Sequence, residues 1–461
     1  MQQLPILLFF AAASFLPALG YYTIGEEGFY TISSMEMWFN NDWLVQTTGG
    51  GDLGRPPLMN WLVMPLAEII GWQHVLVATR LVTISATLGV TAWLYWLCRR
   101  LFDDRGFALF AALACLSLAD LLLYRGWLAY TDPTFSFFTF GAMATLWVAT
   151  IDRHRGLLLV SVFLVSCAML SKAFTAYVFY GTTALVLLRQ RSVRDFLLSP
   201  SSLFIFALAL IVPYAWFSKL PKMEGHSSHM LREIGHRLLA LDTPGYLAQI
   251  TLFPLETALR LSPAVLLAVY LLLRKRVSGP ENMPIHFQSV LLIAGLCFLP
   301  YWLTPRSGIR YLLPIYPLIA LISARIIWRA GDRAKTLALR WFAGIVAFKF
   351  VFALLLAPYY QSHFRGENYV RAAQDIMHRT AGYPLYATDF RSIGLNITSQ
   401  IDVDRWPQAP LTFPPVQWND GFVLAAKADE ALGIVAKSYT LVGDQIFLLC
   451  RGTACGVIQQ K

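Results

Sequence analysis

Charge is what this chain has least of. Asp, Glu, Lys and Arg make up 14% of its 461 residues, against about 25% in ordinary soluble domains. Hydrophobic residues make up 57%, with a mean hydropathy of +0.53. A chain this poor in charge cannot solvate a normal globular surface. Phosphate-cradling loops of the form G-x-x-x-x-G-K-[ST], a G-x-G-x-x-G followed by a strand, and H-E-x-x-H are all missing, which removes support for nucleotide-driven transport and the common metalloprotease chemistry. Internal repeats and low-complexity tracts are missing as well. Cysteine is scarce, at six residues. Cys98, Cys115, Cys167 and Cys297 fall in or at the ends of apolar stretches and read as packing residues.

The abundant feature is apolar sequence in long runs, several of which reach the roughly 20 residues that cross a bilayer core. The pattern predicts a polytopic α-helical membrane protein with eleven spans, near 4–20, 75–98, 107–124, 133–151, 157–171, 174–188, 197–217, 257–273, 286–304, 311–328 and 341–358. Leu58–Trp72 is too short to span and contains Glu68, so it reads as interfacial or re-entrant. Leu4–Gly20 could instead be a cleaved signal peptide, with Ala-Leu-Gly before Tyr21. No basic residue precedes its apolar run, however, which favours a retained span.

The net charge of +10 does not point to nucleic acid, because Lys and Arg concentrate in short loops. With the N-terminus in the cytoplasm, five loops (99–106, 152–156, 189–196, 274–285 and 329–340) hold fifteen Lys/Arg. The longer opposite loops before residue 311 hold nine. The positive-inside rule then places loops 21–74 and 218–256 outside the cytoplasm. After about Tyr359 the composition becomes that of a soluble domain. Helical periodicity at Tyr369–Thr380 and strand-like runs at Gly421–Ala425 and Gln445–Cys450 predict a small extracytoplasmic α/β domain over 359–461, following a membrane domain over 1–358. Cys450 and Cys455 flank Arg-Gly-Thr-Ala there, and an oxidising exterior favours a disulfide.

Charged residues set against so much hydrocarbon need to be solvated, paired or used. Glu26 and Glu27, in Gly25-Glu-Glu-Gly-Phe-Tyr30, follow the first span, with Arg55-Pro-Pro-Leu58 in the same loop. A held carboxylate there can serve as a general base; the plainer reading is a solvated acidic pair at a helix N-terminus. Asp132, in Tyr130-Thr-Asp-Pro133, stands at the extracytoplasmic mouth of two spans, where helix capping explains it equally well. Asp120 lies one to two turns deeper. Lys172 after Ser171 runs against the charge bias and suits a phosphate, with snorkelling as the alternative. Arg80, Arg306 and Arg310, the last two ahead of Tyr311-Leu-Leu-Pro314, raise the same question. His226, His229 and His236 share the second long loop, and the i, i+3 pair His226/His229 admits a divalent metal; histidines in wet loops are more often simply solvated. Asn396-Ile-Thr398 matches a glycosylation sequon.

Taken in order, these segments resemble the polyprenyl-phosphate-sugar-dependent GT-C glycosyltransferases, in the branch of the aminoarabinose transferases and protein O-mannosyltransferases. The family's acidic pair is similar to Glu26-Glu27 with Tyr30, and its Lys-Pro-Pro-Leu to Arg55-Pro-Pro-Leu58. Arg80, the Arg99-Arg100-Leu-Phe102 doublet, Thr131-Asp132, Ser171-Lys172-Ala173 and Tyr311–Pro317 follow in family order over roughly residues 1–330. The chain departs from the pattern with Glu26 in place of a leading Asp, Phe29 where an Arg is usual, and Gly54 in place of an acid. The resemblance implies a GT-C fold and transfer of a sugar, with inversion, from a polyprenyl-phosphate carrier to a lipid, glycan or protein acceptor. It implies Glu26 as base or acceptor-positioning carboxylate, with Glu27 beside it and Asp132 as the second acid. Arg55, Lys172, Arg306 and Arg310 would face the donor phosphate, and Tyr30, Arg80 and Tyr311 would line the pocket. No cofactor is required by this reading, though a metal is compatible with it. The expected partners are the lipid-linked donor, the acceptor and membrane lipids. Competing classes are a transporter or flippase of lipid-linked or small anionic solutes, which would set charges near mid-bilayer in broken helices, and a non-catalytic membrane assembly factor.

Overall fold

A computed structural model describes residues 3–53, 55–219, 243–274, 284–305, 307–441 and 443–458. Arg306 and the histidines at 226, 229 and 236 lie outside these described residues. The protein is predominantly helical and forms two compact units, one of Met1–Leu16, Thr83–Trp127 and Thr131–Phe350, the other of Pro17–Val82, Leu128–Tyr130 and Val351–Lys461.

Among the described residues, seven helices are long and apolar enough to cross a membrane: Gln3–Gly20, Trp72–Phe102, Thr131–Asp152, Pro200–Lys219, Ile285–Leu303, Ile309–Arg329 and Asp332–Arg379. The protein is a multi-pass membrane protein. The remaining expected spans take other forms. Residues 107–124 divide into a helix at Arg105–Leu116 and a π-helical turn at Asp120–Arg125. Stretches 157–171 and 174–188 are helices Arg155–Ser171 and Thr175–Leu187, of 17 and 13 residues. The stretch 257–273 belongs to a helix pair, Gly245–Arg260 and Ala264–Leu273, bent by 111°. Pro263 sits in that break, and proline has no amide hydrogen with which to carry a helix onward. Leu58–Ile70 is a 13-residue helix, too short to span.

The first unit is built round Thr131–Asp152, buried along nearly its whole length. Phe140 and Trp147 from this helix join Phe107, Phe110, Phe179 and Phe342 in one continuous core. Helices whose flanks carry exposed apolar side chains, such as Phe204, Leu210, Ile211 and Tyr214 on Pro200–Lys219, present the hydrocarbon surface a bilayer requires.

In the second unit the residues after the first span fold with those after Val351. Tyr21 Oη donates to Ala353 O at 2.6 Å, while Tyr22 and Gln361 exchange two hydrogen bonds. Helix Glu27–Phe39 packs on helix Ser392–Arg405. Gly28 sits at this crossing, where an added Cβ would lie 3.0 Å from both Leu395 O and Ser399 Cβ. A short antiparallel hairpin, β1 (Thr47–Thr48) and β2 (Gly51–Asp52), turns through Gly49 and Gly50, both at positive φ. Four strands form one sheet in the order β3-β4-β6-β5: β3 is Leu385–Ala387, β4 Gly421–Ala425, β5 Ile434–Leu441 and β6 Asp444–Arg451. Only β3 and β4 run parallel. β4 falls where the sequence put it, helix Glu367–Arg379 begins two residues before the expected Tyr369–Thr380 and ends one residue before it, and β6 extends the expected run by a residue at each end. Cys450 and Cys455 are disulfide-bonded, whereas the other four cysteines are free and buried. The sequon is sealed: Asn396 and Thr398 are buried within helix Ser392–Arg405, so an oligosaccharyl enzyme could not reach that amide in the folded chain.

Candidate active-site clusters

The expected site residues divide between the two units, and each group has its own construction. In the second unit Gly25, at φ +60°, turns the chain out of the first span, and a Cβ there would lie 2.5 Å from Tyr130 Oη. The two glutamates that follow have opposite surroundings. Glu27 is fully buried against an equally buried Arg80. Arg80 Nε donates to Glu27 Oε1 at 2.9 Å and Nη2 to Oε2 at 2.5 Å, a fork-to-fork pair. Glu27 also accepts from the Ile24 amide and the Ala129 amide, both at 2.8 Å. Arg80 spends its remaining donors on the carbonyls of Ala18, Tyr21 and Tyr22. A buried ion pair holds only when its other lone pairs and protons are also satisfied, and here they are. Glu27 and Arg80 therefore brace the loop that carries Glu26.

Glu26 is exposed. Its amide donates to Tyr130 Oη at 3.1 Å, and its side chain makes no cap hydrogen bond to helix Glu27–Phe39. Helix capping thus does not account for it. The Arg55 guanidinium stands 4.6 Å over the Phe29 ring, which in turn meets Tyr30 edge-on at 5.2 Å. Pro56, just beyond Arg55, is fixed by a buried polar seam. Gln46 Nε2 donates to Pro56 O and to Asn60 Oδ1, and Asn60 Nδ2 donates to Ser33 and Ser34. Glu36 adds an anchor by accepting from the Gly49 and Gly50 amides. Burial pushes the Glu36 carboxyl up, against the pull of those amides and Thr47. Burial also pushes Asp402 well above the carboxylate range, with the Glu36 charge adding to the effect.

In the first unit Asp132, one residue into helix Thr131–Asp152, pairs with Lys172 at the end of helix Arg155–Ser171. Thr131 Oγ1 donates to Ser171 O at 2.8 Å and closes the same junction. The Lys172 ammonium lies 4.8 Å from the centre of the Tyr311 ring, with Arg310 at 5.2 Å from that ring. Arg310 Nη2 also reaches Tyr311 Oη at 3.3 Å. Stacking of Tyr311 on Tyr301, and of Tyr301 on Phe179, fixes the ring from below. Four of the expected residues, Asp132, Lys172, Arg310 and Tyr311, therefore meet. Two cations beside one phenol ring, with one carboxylate between two helix ends, make a place for an anion with spare negative charge.

Sequence reading missed Arg125, Arg260 and Tyr316, which surround Asp120 in the same unit. The available signal was Asp120 itself, an acid within an apolar stretch, followed five residues later by a basic one. Among the described residues no group of three or more His, Cys, Asp or Glu is arranged to hold a metal.

Residues 54–217 match the family described as dolichyl-phosphate-mannose-protein mannosyltransferase, which is less than half of the chain. No curated protein matches by sequence. Among solved structures the chain is similar to ArnT from Cupriavidus metallidurans bound to undecaprenyl phosphate, with 14% identity and a TM-score of 0.72, covering 98% of this chain and 97% of that one. The same protein in the apo state gives 14% identity and a TM-score of 0.66, with 98% of each chain covered. At this identity the likeness speaks for the fold: the chain has the GT-C fold in its ArnT-like form, with a small sheet-containing C-terminal region, as the sequence resemblance implied.

Proposed function

We propose that this protein is a membrane glycosyltransferase that moves a sugar from a polyprenyl-phosphate donor to a lipid, glycan or protein acceptor. The carrying observation is the group of Lys172 and Arg310 on the Tyr311 ring, with Asp132 on Lys172. Cations fixed beside a membrane segment suit a lipid phosphate, whose charge grows as the bond to the sugar breaks. The fold, the matched family region and the undecaprenyl phosphate bound by the similar ArnT support the same reading.

In the reaction, an acceptor oxygen attacks the anomeric carbon from the face opposite the leaving group. The bond from that carbon to the phosphate oxygen breaks, the lipid phosphate departs with the electron pair, and the configuration inverts. Glu26 is the base or acceptor-positioning carboxylate, the exposed member of the pair. Glu27 and Arg80 hold its loop in place, and Asp132 holds Lys172. Lys172 and Arg310 neutralise the donor phosphate and Tyr311 lines its pocket; Arg55, Arg306 and Tyr30 are assigned to donor and substrate by the family resemblance alone. Of the metal candidates, His226 and His229 remain part of this proposal only as residues of the second long loop. The protein sits in a bacterial inner membrane with its N-terminus cytoplasmic. Residues 1–358 form the membrane domain, and 359–461, with loop 21–74, lie on the extracytoplasmic side, where the Cys450–Cys455 disulfide is chemically at home.

Purified protein presented with a panel of polyprenyl-phosphate sugars should release sugar or transfer it to acceptor. Glu26→Gln should lower turnover by about a hundred-fold, the scale of one acid–base group, and Asp132→Asn, which deprives Lys172 of its charged partner, should lower it as well. Wild-type turnover in both variants would remove the catalytic assignment.

A further inference from the structure

The segment Tyr311-Leu-Leu-Pro-Ile-Tyr316-Pro317 contains two tyrosines, and the phosphate-facing cluster uses only the first. Tyr316 is fully buried and donates its phenol proton to Asp120 Oδ2 at 2.8 Å. That carboxylate, 3% exposed, is an unusual hub. Arg260 Nη1 donates to Asp120 Oδ1 at 3.1 Å, and Arg125 Nε lies 3.1 Å from Oδ2. One negative charge thus holds two guanidiniums, and Arg260 is shared further with Glu256 at 2.8 Å. Asp120 opens the π-helical turn Asp120–Arg125, a rare backbone form that concentrates at functional sites. The turn is pinned at both ends: the Ala119 amide donates to Ser262 O, and Thr87 Oγ1 to Gly126 O, each at 2.8 Å.

This hub and the phosphate-facing cluster share a frame. Tyr311 and Tyr316 are joined by the 3-10 turn Ile309–Ile315, whose Leu313 carbonyl accepts from Ser136 one turn beyond Asp132 in helix Thr131–Asp152. The positive charges of Arg125 and Arg310 both act on Asp132. Neither arginine of the hub is sealed: their side chains are 12% and 35% exposed.

We propose that Asp120, held by Tyr316, is a positioning residue that fixes Arg125 and Arg260 as a second pair of cations for the phosphate of a lipid-linked donor. This rests on the glycosyltransferase reading above. A buried carboxylate that anchors two arginines and satisfies only part of their hydrogen-bonding capacity leaves the remaining donors preorganised for an anion. Preorganised donors bind without a reordering cost at the moment of contact.

The test is undecaprenyl phosphate binding to the full chain in nanodiscs, measured for wild type, Asp120→Asn, Asp120→Glu and Tyr316→Phe, beside each variant's unfolding temperature without ligand. Positioning predicts that Asp120→Asn weakens binding by about ten-fold, the scale of one charge-assisted hydrogen bond. Asp120→Glu should recover part of that loss, and Tyr316→Phe should give a smaller loss in the same direction. A field effect predicts the opposite, since removing a negative charge should tighten anion binding. Unchanged or tighter binding in Asp120→Asn overturns the proposal, even where that variant unfolds more easily. If Asp120→Asn does not fold, Tyr316→Phe decides, and wild-type affinity there overturns the proposal. Wild-type protein that fails to bind undecaprenyl phosphate removes the donor reading itself, together with this inference, whereas wild-type binding that all variants keep removes the inference alone.

Discussion

Glu26 and Glu27 are neighbours in sequence with separate duties, and the difference is measurable. Glu27 sits in a dry pocket with four donors aimed at its two oxygens, so losing its charge strands Arg80 in low dielectric. Removing one partner of a buried pair costs about 3–5 kcal/mol. Glu27→Gln should therefore lower the unfolding temperature in detergent by many degrees and reduce folded yield. Glu26→Gln should leave the unfolding temperature within a degree or so of wild type, because exposed substitutions usually change stability by less than about 0.5 kcal/mol, while turnover falls. Equal thermal losses in the two variants would contradict this division. A Glu-Glu doublet cannot announce which member is buried. The pairing partner, Arg80, is more than fifty positions away, and only the fold selects Glu27 for it. The sequence pattern made both acids and Arg80 candidates for chemistry, and at this scale pattern and geometry diverge most.

At the scale of elements, the seam between helix Glu27–Phe39 and helix Ser392–Arg405 has two consequences. Gly28 has no room for a side chain. Gly28→Val must drive Leu395 and Ser399 apart, at a cost of about 1–3 kcal/mol by the overpacking rule, visible as a lowered unfolding temperature. The carboxyls of Glu36 and Asp402 are both raised in the folded state. A raised acid binds its proton more tightly folded than unfolded, so its stabilising contribution is complete below the ordinary carboxylate pKa. That contribution is lost as pH climbs through the raised folded value. Unfolding temperature should accordingly fall with rising pH above about pH 4. Asp402→Asn keeps an oxygen for the Leu411 amide, which Asp402 Oδ1 now accepts at 2.8 Å, and removes the charge. It should flatten that slope and melt higher than wild type at neutral pH; an unchanged slope would assign the dependence elsewhere. Elements with strong local signals were readable: the amphipathic helix Glu367–Arg379, the apolar β4 and the long span Thr131–Asp152. Helix Ser392–Arg405 was not, because its pattern is polar and broken, and its buried Asn396, Thr398, Ser399 and Asp402 are covered by segments outside the helix, among them a helix that begins 365 positions earlier. The apolar stretches near 107–124 and 257–273 looked continuous, yet a π-turn and Ser262-Pro263 interrupt them. Hydropathy averages over breaks of that size.

At the scale of the whole molecule, the bias of Lys and Arg across the loops gives an orientation that chemical labelling can check. The four free cysteines are buried, so a cysteine added at an exposed position will dominate the signal from a bulky maleimide. Ala428 is exposed beyond β4, and Arg333 is exposed at the start of helix Asp332–Val351, in one of the arginine-rich loops. If fifteen loop cations against nine set the orientation, Ala428→Cys should react with a membrane-impermeant maleimide in intact spheroplasts. Arg333→Cys should react only after permeabilisation, and removing one of fifteen charges should not reverse the insertion. The opposite pattern would turn the protein over, placing Glu26 and the C-terminal sheet in the cytoplasm with the disulfide in a reducing compartment. It would also force the lipid-linked donor to be used on the inner face of the membrane.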